Sequence, residues 1–247
     1  MQILAVAIQK GGTGKTTTAA TIAQAAAFRN KKVLAIDLDP QGNLSFALGV
    51  TGQAQFTSYD LLTASSVPRI LRAPCGVDII PAAWELANIK SEKSSARRLQ
   101  NAIKKYFPAG SYDFIIIDTP PTAGELQYNA LQAATDLIIP LQADIYNLQS
   151  LYQITAAARQ IQQSNEQLHI AGIVITKADT RSTIARQMRE QITEQAAKDN
   201  IPCLGIIRTG VAIQEAAALQ KSIYEYAPYS NPAQDYLSLL DRITERR

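Results

Sequence analysis

The chain has 247 residues, of which 47% are hydrophobic and 18% charged, and its formal net charge is +3. This length is enough for one large α/β domain with a hydrophobic core or for two small domains, and the apolar content argues against a disordered chain. The slight positive charge is compatible with a polyanionic partner, and it also fits a balanced soluble surface.

Short runs rich in β-branched residues alternate with longer helical stretches. Such alternation predicts an α/β fold with a doubly wound, mostly parallel sheet of about seven or eight strands flanked by helices. The runs that predict strands are Ile3–Ile8, Lys32–Asp37, Val77–Ala82, Tyr112–Asp118, Asp136–Gln142, Ile170–Thr176 and Cys203–Arg208. Right-handed crossovers then place the loops after the strands at one edge of the sheet, where ligands bind.

Three helical stretches stand out. An Ala-rich helix follows the first strand and ends near Asn30, a second lies within 91–107, and an amphipathic C-terminal helix covers about 232–246. No Gly/Ser-rich linker or internal repeat interrupts the chain, so we expect a single domain over residues 1–247. No apolar run reaches the ~18 residues of a membrane span. The two cysteines, Cys75 and Cys203, form no CxxC pair, so we expect a reduced, cytoplasmic protein.

The stretch "QKGGTGKTT", Gln9–Thr17, follows the first strand and opens the first helix. It matches the phosphate loop of P-loop NTPases except that Gln9 replaces the first glycine and Lys10 adds a second lysine. Glycines let backbone N–H groups point inward, and the helix N-terminus favours anions. We expect Lys15 to reach the β- and γ-phosphates and Thr16 to offer its hydroxyl to Mg²⁺. The predicted nucleotide-binding residues are Gly11, Gly12, Thr13, Gly14, Lys15, Thr16 and Thr17.

Acidic residues follow two of the predicted strands. Asp37 and Asp39 stand two apart in "IDLDPQGN", and Asp118 ends the apolar run of "FIIIDTPP". Residues at positions i and i+2 of a strand share a face, so both side chains of the first pair can point toward the same ligand. A carboxylate at the end of a buried strand suits a Mg²⁺ ligand, bound directly or through water.

The segments "KGGTGKTTT", "AIDLDPQGN" and "IIIDTPP", in this order and spacing, resemble the ParA/MinD group of P-loop ATPases with a deviant Walker A motif. The chain is most similar to the small ParA partition ATPases of the Soj type. The resemblance extends over nearly the whole chain, including the C-terminal stretch "IQEAAALQKSIYEYAPYSNPAQDYLSLLDRI". It implies one ParA-like P-loop ATPase domain with ATP or ADP and Mg²⁺ as cofactors.

The resemblance also implies residue roles. Lys10 matches a lysine that reaches across a nucleotide-sandwich homodimer to the partner's phosphates, and Asp39 matches a residue that positions the attacking water. Lys10, Lys15 and Asp39 are therefore the expected catalytic residues. Thr16, Asp118 as the Walker B acid, and the nearby Asp37 are the expected metal site. The implied function is DNA segregation: the ATP-bound dimer coats DNA non-specifically, and a centromere-binding ParB-like partner triggers hydrolysis. Such a protein is cytoplasmic and nucleoid-associated.

One segment departs from the family pattern. In "IRTGVAIQEA", two arginines that relatives often carry become Thr209 and Ala212, while Arg208 sits one place early. The remaining candidates for DNA contacts are Arg181, Arg186, Arg208 and Lys221. Each is also explained as a solvated surface charge. Several scattered cations suffice for non-specific DNA binding, with strong salt dependence.

Three alternatives remain open. A MinD-like positioning ATPase shares the motifs but needs a membrane-binding tail, and the tail here carries Asp235, Asp241 and Glu245 and has no Phe or Trp, so we expect no membrane partner. An iron–sulfur ATPase needs paired cysteines that this chain lacks. The stretch "TKAD", Thr176–Asp179, matches a motif that reads guanine in GTPases, so GTP is an alternative to ATP.

Overall fold

The computed structural model describes residues 1–52, 54–89, 95–144, 147–179 and 182–245. Within them, one eight-stranded sheet has the order β3-β4-β2-β5-β1-β6-β7-β8. The strands are β1 (Gln2–Val6), β2 (Val33–Asp37), β3 (Leu71–Arg72), β4 (Asp78–Ile80), β5 (Phe114–Asp118), β6 (Asp136–Gln142), β7 (His169–Ala178) and β8 (Cys203–Arg208). All pairings are parallel except that of β3 with β4, so the carboxyl ends of seven strands meet at one edge.

Helices cover both faces of the sheet because the central strands are apolar on both sides. In β1, Leu4 and Val6 pack into the layer of α1 and the C-terminal helices, while Ile3 and Ala5 pack into the opposite layer. The helices are α1 (Lys15–Phe28), α2 (Asn43–Ala47), α3 (Ser58–Thr63), α4 (Arg98–Tyr106), α5 (Glu125–Ala133), α6 (Asn147–Gln162), α7 (Thr183–Lys198), α8 (Val211–Ala218), α9 (Ile223–Tyr226) and α10 (Asn231–Thr244), with 3₁₀ turns at Trp84–Asn88 and Ser95–Arg97.

The predicted fold class is confirmed, and the corrections are local. The eighth strand, β3, is not among the predicted runs. It has only two residues and pairs antiparallel with β4, and a run of two residues is too short to show a strand pattern in the sequence. The strand predicted over Val77–Ala82 is only Asp78–Ile80. The helix predicted within 91–107 begins at Arg98, after the 3₁₀ turn, and residues 91–94 lie outside the described ranges. The C-terminal helix spans Asn231–Thr244 rather than 232–246.

Helix α10 joins the end of the chain to the phosphate-loop helix. It packs against α1 and β8, and Tyr236 is fully buried, with its hydroxyl 3.0 Å from the hydroxyl of Thr18 in α1. Burial raises the pKa of Tyr236, so the phenol stays protonated and can keep this hydrogen bond. The apolar face of α10 is therefore part of the core.

The close approach of β7 to β8 generates a stability prediction. Gly172 has φ of 152°, and a Cβ there would lie 2.3 Å from the carbonyl oxygen of Pro202. We expect Gly172→Ala to lower the free energy of unfolding by roughly 3 kcal/mol, because the backbone must move to relieve the overlap. Gly205→Ala is the matched control, since its Cβ would meet only Leu239 at 3.7 Å. Equal urea midpoints for the two variants would contradict the prediction.

Candidate functional site

The glycine loop between β1 and α1 is shaped to surround an anion. Gly12 and Gly14 have φ of 75° and 91°, which L-residues with side chains rarely adopt. A Cβ on Gly11 or Gly12 would meet no atom within 4 Å, so open space lies beside the loop. Helix α1 has no acidic residue in its first turn, and its positive end is therefore available to a phosphate.

Outward-facing carbonyl groups of the loop are held by the ends of β6 and β7. The Thr176 hydroxyl donates to the carbonyl of Thr13 at 2.7 Å. The Lys177 ammonium donates to the carbonyl of Gly12 at 3.0 Å, and the Gln142 amide donates to the same oxygen. These bonds fix the loop from outside and leave its inner side to a ligand.

The two lysines of the loop have different surroundings. Lys15 is 7% exposed, and its ammonium donates to the carbonyl of Lys10 at 2.8 Å. Burial lowers the pKa of Lys15, against the opposing charges of Asp118 and Asp39. Lys10 is partly exposed, and its ammonium forms an ion pair with Asp144 at 3.1 Å. Lys15 thus belongs to the interior of the site and Lys10 to its rim.

The three predicted acids do lie together at this edge, since Asp37 and Asp118 end the paired strands β2 and β5. Asp37 accepts hydrogen bonds from the backbone N–H of Asp39 and from both the N–H and the hydroxyl of Ser45. Asp39 accepts one from the N–H of Gln41 and lines the cleft beside the loop. Asp37 is thus occupied by protein donors, while Asp39 faces the open space.

Asp118 has the properties of an acid that awaits a cation. It is fully buried, and within the described residues its Oδ2 has no hydrogen-bond partner. Burial and the neighbouring charge of Asp37 raise the pKa of Asp118 well above its usual range, and burial raises that of Asp37 to about 6. A divalent cation near Asp118 would remove this penalty.

The donors fit Mg²⁺ bound together with a nucleotide. The described ranges contain no cluster of three or more His, Cys, Asp or Glu residues that could hold a metal. Magnesium usually takes only one or two carboxylates from a protein, together with phosphates and water, so a site with few acidic side chains fits it. Thr16 and Asp118 are the residues that would hold it, and Asp37 would act beside them.

Two clefts that share lining residues lie beside the glycine loop. The first, of about 330 Å³, is lined by the glycine loop, Lys15, Asp39 and Lys177. The second, of about 100 Å³, is largely apolar and lies between the ends of β7 and β8 and the start of α8, with Ile207, Pro232 and Tyr236 in its walls. The first suits a polyphosphate and the second suits a flat base.

The three candidate DNA contacts within the described residues have different surroundings. Arg208 is held by Asp235, which accepts hydrogen bonds from its Nε and Nη2 at 3.0 and 2.6 Å, and this bond raises the pKa of Arg208. Arg186 lies on the exposed side of α7 near Glu190, and Lys221 follows α8. Arg181 lies outside the described residues. The pairing of Arg208 could not be read from its sequence neighbours, because Asp235 is 27 positions away.

The sequence predictions did not include four residues that shape this site: Gln142, Asp144, Thr176 and Lys177. The last two were noticed only as part of a base-reading motif. Their position at or just beyond the carboxyl end of a buried strand was the available signal, since the ends of parallel strands share one edge.

Comparison with known proteins places the chain in a family. A family model described as an AAA domain matches residues 1–170. The chain is 34% identical over 249 residues to the sporulation initiation inhibitor protein Soj of Bacillus subtilis, covering 98% of each. It is 32% identical over 255 residues to the chromosome partitioning protein ParA of Caulobacter vibrioides, covering 100% of this chain and 95% of that one. The chain belongs to the ParA/Soj family of ATPases.

A solved structure with the same fold contains a bound nucleotide. Cobyrinic acid a,c-diamide synthase from Mycobacterium smegmatis, bound to an ATP analogue and magnesium, is 29% identical with a TM-score of 0.80, over 98% of this chain and 93% of that one. It has also been solved with ADP and magnesium. The predicted ATPase activity and the predicted cofactors, ATP or ADP with Mg²⁺, are confirmed at the family level.

The two cysteines lie far apart in the sheet. Cys75 precedes β4 near one side, whereas Cys203 begins β8 at the other. They are both free and cannot share a cluster within one subunit. This arrangement gives no support to an iron–sulfur ATPase.

The charge of Asp118 generates a prediction about pH. A buried acid with a raised pKa costs stability as pH rises from its unfolded value, because the folded state then holds the extra proton. We expect Asp118→Asn to be more stable than the wild type without nucleotide at pH 7, because the buried position then carries no ionisable group. The advantage should vanish below about pH 4, where both states keep the wild-type proton.

The same variant should lose the stabilisation that ATP and Mg²⁺ give to the wild type in thermal unfolding. Asp199→Asn is the control, since Asp199 forms an exposed ion pair with Arg159 at 3.4 Å. Asp199→Asn should change neither the stability without nucleotide nor the stabilisation by ATP and Mg²⁺ appreciably. An Asp118→Asn protein that keeps the full Mg²⁺-dependent stabilisation would exclude Asp118 from the metal site.

Proposed function

We propose that this protein is a DNA-partition ATPase whose ATP-bound homodimer binds DNA non-specifically and releases it after hydrolysis. The observation that carries the proposal is the division between its two loop lysines, one buried in its own site and one at the rim. The full-length similarity to ParA and Soj proteins supports the same role. A ParB-like centromere-binding protein would stimulate hydrolysis, and the protein would act in the cytoplasm on the nucleoid.

Lys10 is suited to serve a neighbouring subunit. Its ion pair with Asp144 is partly exposed, with side chains 31% and 41% accessible, so exchanging it costs about 1 kcal/mol or less. A partner's triphosphate offers more negative charge in a drier setting, which makes the exchange favourable. Dimerisation then depends on the nucleotide, because Lys10 gains this partner only when ATP is bound opposite.

Within each subunit the remaining residues divide the chemistry. Lys15 binds the β- and γ-phosphates of its own nucleotide, while the loop N–H groups hold their oxygens. Mg²⁺ supplies charge neutralisation of the phosphates when it is bound near Thr16 and Asp118. Asp39, which lines the cleft, orients the attacking water. Lys10 from the neighbour stabilises the charge of the transferring phosphoryl group, as an arginine finger does elsewhere.

DNA binding is proposed to rely on dispersed cations rather than on one basic groove. Arg186 and Lys221 are the described candidates whose charge is not buried in a tight pair, and Arg181 is a further candidate from the sequence. Arg208 is a poor choice because Asp235 neutralises it. Binding of this kind is dominated by phosphate contacts and weakens steeply with salt.

A MinD-like membrane role is the second candidate, and α10 argues against it. Among the described residues no helix is long and apolar enough to span a membrane. The apolar side chains of α10, including Tyr236, Leu240 and Ile243, are buried against the body of the protein. Insertion into a lipid surface would expose the core beneath them. Co-sedimentation with anionic liposomes in the presence of ATP would favour this role instead.

The principal test is retention on non-specific duplex DNA at low salt. We expect wild-type protein to be retained with ATP and Mg²⁺ and not with ADP. Lys10→Ala should still bind ATP, because Lys15 and the loop are intact, but it should neither dimerise stably nor hydrolyse ATP. Hydrolysis should fall by about 10³-fold or more, as for a lost arginine finger.

Lys31→Ala is the matched control, since Lys31 lies in the exposed turn after α1. It should behave like the wild type in size-exclusion chromatography, DNA retention and phosphate release. Normal turnover by Lys10→Ala would remove the trans-acting lysine, and a wild type never retained on DNA would reject the partition role.

The DNA-contacting cations can be tested separately. The double variant Arg186→Ala/Lys221→Ala should weaken DNA retention across all sequences and reduce the slope of log K against log [salt] by about 2, one for each phosphate contact. Lys104→Ala/Lys105→Ala is the control of equal charge, because these lysines lie in the last turn of α4, which leads to the opposite edge of the sheet. Equal slopes in both double variants would place the DNA contacts elsewhere.

A further inference from the structure

Lys177 has a backbone conformation that is rare for a non-glycine residue, at the point where the pairing of β7 with β8 shifts register between Ile175 and Ala178. Its φ is 50°, in the left-handed region that non-glycine residues rarely occupy. The other four described non-glycine residues with positive φ follow or cap the ends of helices, where this conformation completes the cap. Lys177 instead lies inside β7, one position after Thr176. Strain of this kind persists where the surrounding structure enforces it, and it gathers at functional sites.

The strained turn brings the Lys177 side chain over the glycine loop. Its ammonium donates to the carbonyl of Gly12 at 3.0 Å. Anchoring that carbonyl does not require a charge, because the neutral amide of Gln142 already donates to the same oxygen. The contact with the Gly12 carbonyl therefore does not require the positive charge of Lys177.

The position of Lys177 between two clefts indicates what its charge can bind. The phosphate cleft and the apolar cleft share three lining residues, Gly14, Thr17 and Lys177, and Lys177 is the charged one. A nucleotide with its phosphates in the first cleft and its base in the second must pass this junction with its ribose and its first phosphate. An exposed ammonium group on an apolar stem matches both, since the stem can cover the sugar while the charge meets the phosphate.

We propose that Lys177 is a nucleotide-binding residue that pairs with the phosphate nearest the ribose of a nucleoside di- or triphosphate. The proposal rests on the nucleotide site described under the proposed function but not on DNA binding or dimerisation. Lys15 serves the distal phosphates, Lys10 serves the neighbour, and Lys177 serves the proximal phosphate. The energetic cost of the strained backbone at Lys177 is then offset by the affinity that the residue gives for the nucleotide.

The test measures dissociation constants for AMP, ADP and ATP with Mg²⁺ by calorimetry, using Lys177→Met and Lys177→Arg. We expect Lys177→Met to weaken ADP and ATP by the same factor, about tenfold or more, which is typical for a lost hydrogen bond to a charged group. AMP should weaken similarly where it is measurable. Lys177→Arg should retain most of the affinity, and the salt dependence of ADP binding should be smaller in Lys177→Met.

A second variant separates binding from stability. Lys177→Gly removes both the charge and the strained Cβ, so its melting temperature without nucleotide should equal or exceed that of the wild type, while its ADP affinity falls as in Lys177→Met. Ala64→Gly, at an exposed left-handed position with φ of 52°, controls for relief of strain and should bind ADP normally. Lys198→Met controls for loss of one surface charge.

The outcomes discriminate clearly. Unchanged ADP affinity in Lys177→Met, while Lys15→Ala loses binding, would overturn the proposal and leave the nucleotide site standing. A loss confined to ATP would also overturn it, because the contact would then be to the terminal phosphate. Lowered melting temperatures of Lys177→Met and Lys177→Gly without nucleotide, with normal ADP affinity, would make Lys177 a structural anchor of the loop. Failure of DNA retention in the wild type would touch only the partition role.

Discussion

The whole site depends on satisfying the carbonyl groups of one glycine-rich loop. A loop that turns its N–H groups inward toward a polyanion must turn carbonyl groups outward, and buried carbonyls need donors. Here Thr176, Lys177 and Gln142 supply those donors from β6 and β7, and Lys15 supplies one to the carbonyl of Lys10. The parallel sheet makes this possible, because it delivers the ends of neighbouring strands to the same edge as the loop.

A second constraint is the concentration of charge in a dry place. Asp37, Asp118 and Lys15 are all at least 90% buried. Burial raises the pKa of the two acids and lowers the pKa of Lys15, so it favours the neutral form of each group. Asp37 is compensated by three protein hydrogen bonds, whereas Asp118 leaves one oxygen without any among the described residues. The protein alone therefore leaves the charge of Asp118 incompletely compensated. A magnesium nucleotide completes the compensation, which is why binding and stability should be strongly linked in this protein.

The sequence predicted those features that are local. The glycine loop, the three acids and seven of the eight strands follow from short motifs and apolar runs, and they agree with the structure in position to within a few residues. What it could not predict depends on distant partners. The two-residue β3 exists only because β4 lies beside it. Arg208 is a candidate DNA contact in the sequence, and its pairing with Asp235 is visible only in the fold. In the sequence, Lys177 is only one position of a possible base-reading motif. Its positive φ and its hydrogen bond to Gly12 depend on the tertiary structure.

The C-terminal helix α10 contacts both α1, which follows the glycine loop, and β8. Tyr236 of α10 forms a wall of the apolar cleft and also lies within hydrogen-bond distance of Thr18, one turn into α1. Asp235, its neighbour, holds both the backbone N–H and the guanidinium of Arg208 at the end of β8. Two adjacent side chains of α10 therefore fix both sides of the apolar cleft. The buried face of α10 therefore covers the core and shapes the nucleotide cleft at the same time.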